Sequence, residues 1–324
     1  MADHAVNDDR DIFIYRGGRW FPQHITHVLI DKSVDEIDDQ AFCYNENLVQ
    51  VDTHDGLRKI GAWAFRGCTS LRRINLKSAV EIGQSAFYEC ANLELVEFGD
   101  RLEIIGRTAF CGCDSLTNLN LPSIITIGSS AFFGCNLTDV ELPERLETIG
   151  TSAFHSCVCL QRIAVPLKRD LFEYHGGVQR YTQFDHCEQQ LTTVDLVGQA
   201  HKTVASLHME SWRTEMIAEI DRINQEVLPN TRDDETSGEI RQWMNSVIDK
   251  MDHYKSEHCR YVREGITLLE LALWKAKLDE KEEYAAEVKP KKAKRDAESA
   301  RKDKRMTCGA DMVINNVLPF LQLE

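Results

Sequence analysis

A six-residue phrase, Ile-Gly-x-x-Ala-Phe, recurs along the first half of this 324-residue chain. Full copies begin at Ile60, Ile82, Ile105, Ile127 and Ile149, and an earlier copy, Ile37-Asp38…Ala41-Phe42, has Asp in place of Gly. Successive phenylalanines, Phe42, Phe65, Phe87, Phe110, Phe132 and Phe154, are 23, 22, 23, 22 and 22 residues apart. A unit that short cannot enclose a core of its own, so it must bury its apolar residues against identical neighbours. The expected architecture is a stacked solenoid.

A second signal follows each Ala-Phe, with the form Leu-x-x-(Ile/Val/Leu)-x-(Leu/Phe/Val). It reads Leu71…Ile74-Asn-Leu76, Leu93…Val96-Glu-Phe98, Leu116…Leu119-Asn-Leu121, Leu137…Val140-Glu-Leu142 and Leu160…Ile163-Ala-Val165, with a weaker copy at Leu48…Val51-Asp-Thr53. Residues one, four and six of this segment point inward, and two, three and five point out. This is the short strand of a leucine-rich repeat. A further strand is expected at Ile25–Ile30, and a last, degenerate coil at Phe184, Cys187 and Leu191…Val194-Asp-Leu196, after an insert in 166–183 that carries Gly176-Gly177. Eight parallel strands at about 4.8 Å each make a sheet roughly 35 Å long. Ile12–Tyr15 and Trp20-Phe21, flanking Arg16-Gly17-Gly18-Arg19, are expected to form a hairpin cap. The Gly column requires either positive φ or close approach to a neighbouring coil, and Asp38 substitutes for Gly as a residue that visits the left-handed region.

Eleven cysteines invite a disulfide framework. Six of them, Cys68, Cys90, Cys113, Cys135, Cys157 and Cys187, fall three residues after a repeat phenylalanine. A fixed column indicates small buried hydrophobes. The odd count, together with no apolar N-terminal signal segment and no membrane-spanning stretch, leads to the expectation of a reducing, cytoplasmic or nuclear setting. Cys111-x-Cys113 and Cys157-x-Cys159 lack the spacing of a zinc site.

After Val197 the apolar period becomes helical. Met209, Trp212, Met216, Ile220, Ile223 and Val227 share one face; Pro229 ends that helix, and Thr236 or Ser237 caps the next. Its stripe is Ile240, Trp243, Met244, Val247, Met251 and Tyr254, continuing through Val262, Ile266, Leu269 and Leu273 to Leu278, with a bend expected at Gly265. These stripes read as a helix–helix core. The division expected is an N-terminal cap over 1–24, a solenoid over 25–197 and a helical module over 198–324. The fold class is α/β, a leucine-rich-repeat solenoid followed by an α-helical C-terminal module.

The module contains a basic segment, 289–305, with Lys289, Lys291, Lys292, Lys294, Arg295, Arg301, Lys302, Lys304 and Arg305 against three acids. Nine minus three gives +6, so the remainder carries −20 of the overall −14. Such a run is a solvated helix, a nuclear-import signal or a phosphate-binding strip. No aromatic residue interleaves with it, which disfavours single-strand stacking.

No P-loop, G-x-G-x-x-G, H-E-x-x-H, G-x-S-x-G or C-x-x-C motif is present, and the histidines are scattered: His253 and His258 lie five apart, His201 and His208 seven apart. A non-enzymatic chain without metal or cofactor is expected. Its candidate site is the outer face of the strands, concave in a leucine-rich repeat. The fifth strand positions are Asp52, Asn75, Glu97, Asn120, Glu141, Ala164 and Asp195; the third are Gln50, Arg73, Leu95, Asn118, Asp139, Arg162 and Thr193. An acidic stripe beside a mixed one suits a basic peptide or protein patch. The partner-binding residues expected are Asp52, Arg73, Asn75, Glu97, Asn118, Asn120, Asp139, Glu141 and Arg162.

The phrase Ile-Gly-x-x-Ala-Phe-x-x-Cys-x-x-Leu-x-x-Ile-x-Leu resembles the BspA-like leucine-rich repeat family over residues 25–197. That resemblance implies a protein-binding scaffold, and its bacterial members imply an adhesion role as an alternative. The tract from His201 through Trp212-Arg213, Leu268–Lys277 and Asn316-Val-Leu-Pro-Phe-Leu resembles the helical tail of unicellular-algal proteins with this repeat, and implies no activity. The reading is a protein–protein interaction scaffold; the alternative from another class is a nuclear nucleic-acid- or chromatin-associated factor using the basic helix.

Overall fold

A computed structural model of the chain describes residues 6–7, 12–18, 22–174, 181–187, 191–207, 209–232 and 234–287. The chain divides into two compact units, Met1–Met251 and Asp252–Glu324.

The first unit is built on coils joined by three backbone ladders. One is the expected strand sheet. Ile12–Tyr15, His27–Ile30, Gln50–Asp52, Arg73–Leu76 and Leu95–Phe98 pair in parallel, and Asp139–Glu141, Arg162–Pro166 and Thr193–Val197 continue beyond them. Alternation is as expected: Leu71, Ile74 and Leu76 are buried while Arg73 and Asn75 are exposed. The strand expected at Leu116–Leu121 is reduced to one bridge, Asn118 to Asp139. Two causes coincide there. Asn, present at both Asn118 and Asn120, is poorly suited to strands, and the next coil has one residue fewer between Cys135 and Leu137 than the other regular coils have at that point.

The second ladder was not expected. The residue pairs ending at each Ile of the phrase form two-residue strands, Glu36–Ile37, Lys59–Ile60, Glu81–Ile82, Ile104–Ile105, Thr126–Ile127 and Thr148–Ile149, in a parallel six-stranded sheet. Its isoleucines stand in register and are fully buried. The insert extends this sheet through a bridge between Ile149 and Phe172.

The third ladder runs through the Ala-Phe turn. N–H groups of Trp63, Phe65 and Gly67 donate to the carbonyls of Gln84, Ala86 and Tyr88 in the next coil, and the pattern repeats at Ser85, Phe87 and Glu89. This geometry needs left-handed backbone at two places per coil: Gln40, Trp63, Ser85, Thr108, Ser130 and Ser152 two residues after the Gly column, and Tyr44, Gly67, Glu89, Gly112, Gly134, Ser156 and His186 two residues after the phenylalanine. Most are not glycine. Non-glycine residues there cost about 1–2 kcal/mol each, which the inter-coil hydrogen bonds offset.

The Gly column therefore serves close approach alone. A Cβ on Gly61, Gly83, Gly106, Gly128 or Gly150 would lie no more than 2.8 Å from backbone of the preceding coil. Asp38 is tolerated for a different reason from the one expected. It stands in the edge strand's coil, where no earlier phrase abuts it, and its backbone is not left-handed. Its carboxylate instead accepts hydrogen bonds from the Tyr15 hydroxyl (2.7 Å) and the Gly18 N–H (2.6 Å), tying the N-terminal strand to the first coil. That strand's antiparallel partner is Val6–Asn7, before it in sequence; Trp20 and Phe21 lie outside the described residues.

The core is two aligned columns. Phe42, Phe65, Phe87, Phe110, Phe132, Phe154 and Phe184 stack with centroids 5.1–5.6 Å apart and planes within 16°, and each is wholly buried. Tyr15 extends the stack at 5.0 Å. Beside them, Cys68, Cys90, Cys113, Cys135, Cys157 and Cys187 donate their S–H to the carbonyls of Phe42, Phe65, Phe87, Phe110, Phe132 and Phe154 in the coil before, at 3.1–3.4 Å. The ten described cysteines are thiols. Burial pushes Cys90 up to about 12 and raises Cys68, Cys113, Cys135 and Cys157 as well, so the reactive thiolate is suppressed.

Helices close the far end. Helix α1 (Ala200–Ser206) and α2 (Glu210–Arg222) are followed by a π-turn, Ile223–Val227, and a 3-10 turn at Leu228–Asn230 that contains Pro229. The buried face of α2 is Met216, Glu219 and Ile220; Met209, expected on it, is 43% exposed. Helix α3 spans Thr236–Glu287, and Ile240, Trp243, Met244, Val247, Met251 and Tyr254 are buried as expected.

Two polar residues fasten these helices to the last coil. The Asn224 amide both accepts from the Val194 N–H (2.8 Å) and donates to its carbonyl (3.0 Å), imitating a further strand at the open sheet edge. Ser237, expected to cap α3, instead accepts from the Phe184 N–H (2.8 Å) and donates to Asp185 (2.8 Å). A buried carboxylate, Glu219, receives Arg222 at 3.0 Å and Lys250 at 2.7 Å. Burial acts to raise Glu219, but bonds from Lys250, Ser246 and Arg222 outweigh it and hold the carboxyl below its ordinary 4.5.

In the second unit, α3 continues through Gly265 as helix. The stripe expected to be core is not buried there: Leu269, Leu273 and Leu278 are exposed, as are Leu268, Leu271 and Trp274.

Replacing Phe110 by Ala removes a ring stacked on both faces, and the expected loss is about 3–5 kcal/mol through burial plus a cavity, read from chemical denaturation. For the thiols, Cys68, Cys90, Cys113, Cys135 and Cys157 are expected to resist a thiol reagent until denaturant is added, while exposed Cys259 reacts at once; the check is labelling followed by mass spectrometry. Glu219, held low in the fold, adds stability above its unfolded-state pKa, lost as pH falls through its folded one. Glu219→Gln is thus expected to melt below wild type at pH 7, with the difference narrowing as pH drops below 4.5.

Candidate functional site

The strand sheet orders its outward side chains in two rows, because parallel pairing in register places equivalent residues side by side. One row runs Gln50, Arg73, Leu95 and, farther on, Asp139, Arg162 and Thr193. The other includes Asn75 beside Glu97, and Glu141, Ala164 and Asp195. Asp52, Arg73, Asn75, Asn118, Asn120, Asp139 and Glu141 are exposed, and Glu97 and Arg162 half-buried. All nine residues singled out from the sequence lie on the outward side of the repeat segments. Ala164, expected to face out with them, is buried.

The rows differ between their two ends. At the C-terminal end, Arg162 bonds Asp139 at 3.0 Å and Asp195 at 2.6 Å. The Asp195 bond, with that of Asp139, pushes the guanidinium pKa further up. Arg162 reaches diagonally past Ala164 to do this, since Asp195 is the neighbour of Ala164 in the ladder. One guanidinium is thus shared between two carboxylates, which leaves the cluster with a net negative charge.

At the N-terminal end the charges are less satisfied. Arg73 donates one hydrogen bond, to the Gln50 side-chain oxygen (3.0 Å), and Gln50 donates to Asp52 (2.7 Å). Among the described residues Arg73 has no carboxylate partner and Asp52 no cationic one. Glu97 binds Lys77 at 2.6 Å. Asn75 turns its side-chain oxygen to the Lys77 N–H. Gln50, Asp52, Arg73, Asn75, Leu95 and Glu97 line a cavity of about 180 Å³. Leu95 is 51% exposed, and Leu29, one strand before Asp52, 41%.

The sequence readily yields the rows, because they follow from the two-residue alternation. It does not yield Lys77, which lies beyond the strand positions and reaches Glu97 from the turn. Nor does it show which charges neutralise which, since that depends on side-chain reach across strands.

Elsewhere the Arg66 guanidinium lies over the rings of Tyr44 and Tyr88, 5.3 and 5.1 Å away. Phe133 stacks on His155 at 5.0 Å, and His155 lies 4.8 Å from His186. Among the described residues no cluster of three His, Cys, Asp or Glu could hold a metal, and no helix is long and apolar enough to cross a membrane. Residues 289–305, the basic segment, lie outside the described residues.

With strands, isoleucine, phenylalanine and cysteine columns in place, comparison with known families identifies the unit. The pattern of the BspA type leucine rich repeat region matches residues 21–123 and 80–176, in six copies. The repeats are similar to BspA-type leucine-rich repeats. Solved structures of the class include a leucine rich repeat protein of T. pallidum, 26% identical over 60% of this chain and 78% of that one, with a TM-score of 0.38. A leucine rich cell surface protein of Faecalibacterium prausnitzii A2-165 is 27% identical over 55% of this chain and 60% of its own length, with a TM-score of 0.46. A leucine-rich repeat protein of Bacteroides ovatus is 21% identical over 53% of this chain and 61% of its own length, with a TM-score of 0.30. No curated protein matches the sequence. The matched residues cover the sheet that carries both charged rows up to Pro166, and the last coil, Phe184 to Val197, lies beyond them.

Proposed function

We propose that this protein is a non-enzymatic interaction scaffold that binds a protein partner through the outward face of its strand sheet. The observation that carries the reading is the unneutralised charge at the N-terminal end of the rows. The fold does not require Arg73 or Asp52 to be charged: their side chains are exposed and make no ion pair among the described residues, and at the other end of the rows the same holds for Glu141. Five carboxylates (Asp52, Glu97, Asp139, Glu141 and Asp195) stand against two arginines on this face, which favours a partner that brings positive charge. An acidic face repels phosphate, so the sheet does not favour nucleic acid. Repeat solenoids present such a face as a continuous binding surface. No observation in the geometry favours the nuclear or the adhesion reading over this one.

The test is partner capture with wild type and the double variant Glu97→Lys/Glu141→Lys. Both side chains face outward, and each reversal is expected to change stability by no more than about 0.5 kcal/mol. Like-charge contact then costs several kcal/mol of binding, so recovery of the partner is expected to collapse. A control reverses Glu46 and Asp114, exposed acids in turns outside the rows. Equal recovery from all three proteins would remove the sheet face as the binding surface.

A further inference from the structure

The cavity between Gln50, Asp52, Arg73, Asn75, Leu95 and Glu97 is more selective than an acidic stripe, and its contents define what fits. A uniformly basic peptide does not fit well. Arg73 stands in the centre of the cavity, in the row beside Leu95, and would oppose a second cation. Its guanidinium has five N–H donors, of which the fold uses one, on Gln50. The unmet requirement at Arg73 is an acceptor, and a planar carboxylate meets it with two bonds.

Asp52 presents the opposite need. One of its oxygens accepts the Gln50 amide at 2.7 Å, which fixes the carboxylate without neutralising it. Across the cavity Glu97 adds a second negative charge, shared with Lys77. An incoming ammonium or guanidinium would therefore lie over the Asp52 side. Leu95, half exposed at the cavity wall, offers apolar contact only, and a water-covered leucine there favours burial against an aliphatic group. Asp52 and Arg73 stand two residues apart along the strand direction and one strand apart across the sheet, a separation of about 8 Å at the backbone. An extended peptide covers that span in two to three residues.

We propose that this cavity receives an extended segment of a partner protein carrying a basic residue and an acidic residue within three positions of each other, with an aliphatic residue beside the acidic one. The basic side chain pairs with Asp52, the acidic one with Arg73, and the aliphatic one covers Leu95. The proposal rests on the reading that the sheet face binds a protein, and it names the composition of the bound segment. The C-terminal end of the rows does not compete for it, because Arg162 is already held by Asp139 and Asp195.

The test is selection of phage-displayed random heptapeptides on the full chain, followed by affinity measurements with the synthetic winner on wild type, Asp52→Lys and Arg73→Glu. Enriched sequences are expected to pair Lys or Arg with Asp or Glu within three positions, next to Leu, Ile or Val. Each variant, with unchanged melting, is expected to weaken the winner at least about tenfold. A peptide with its basic residue changed to Glu is expected to bind Asp52→Lys better than it binds wild type. The absence of enrichment, a winner without the mixed charge pair, insensitivity to both variants, or weakening without the reciprocal gain would each overturn the proposal. Partner capture separates the two levels. If Glu97→Lys/Glu141→Lys abolishes capture while Asp52→Lys and Arg73→Glu do not, the face binds and this cavity is not the seat. If none of them affects capture, the face itself is excluded.

Discussion

The contact on which the fold depends is backbone against backbone at the Gly column. With no Cβ at Gly61, Gly83, Gly106, Gly128 and Gly150, successive coils approach closely enough for all three ladders to form together. The spacing set there is the spacing at which the phenylalanines stack, 5.1–5.6 Å, and at which each cysteine S–H reaches the carbonyl of the coil before it. A bulkier residue at the glycine would move the ring stack and the thiol ladder together. The left-handed turns follow from the same demand, since only that backbone aims alternate N–H groups at the next coil.

A stack so made has two open ends, each a row of unpaired backbone groups. The chain closes them differently. At the front a real strand, Ile12–Tyr15, is added, and Tyr15 joins its ring to the phenylalanine stack and its hydroxyl to Asp38. At the back, side chains substitute for backbone: the Asn224 amide on Val194, and Ser237 on the Phe184 N–H. The helices that carry them are held by a buried acid, Glu219, between Arg222 and Lys250, with the Trp243 indole donating to its carbonyl at 2.9 Å. The beginning of the helical region thus belongs physically to the solenoid as its lid.

What was legible in the sequence is what repeats. The phenylalanine and cysteine columns, the strand register and the outward rows all follow from a 22- or 23-residue period read against a two-residue one. The two-residue sheet at the isoleucines escaped because a dipeptide has no alternation to detect. Of the two reasons the sequence offers for the Gly column, close approach is the one that holds, and positive φ falls at other positions, where Trp63, Ser85 or Glu89 do not suggest it; in this coil the hydrogen-bond ladder overrides local preference. Asn224 and Ser237 act once each, so no period announces them. The apolar stripe of α3 shows the converse failure. Its spacing is equally regular before and after Met251, yet Ile240 and Val247 are buried while Leu269 and Leu273 are exposed, because periodicity gives a face and not what covers it.

The same distinction explains where function can reside in such a molecule. Inward positions are dictated by the neighbouring coil, so Phe, Cys and Ile recur and carry little individual information. Outward positions are released from that constraint, and here they vary from coil to coil: Gln50, Arg73 and Leu95 are adjacent in one row and have nothing in common chemically. At the C-terminal end this freedom has been used internally, in the Asp139–Arg162–Asp195 triad. That arrangement ties three neighbouring strands at the surface, where each pair contributes at most about 1 kcal/mol. At the N-terminal end the corresponding charges remain with Gln50 between them, an amide that bonds both Arg73 and Asp52 without cancelling either. A neutral bridge of that kind holds two opposite charges apart, oriented and open to solvent, and the proposed peptide site rests on that arrangement.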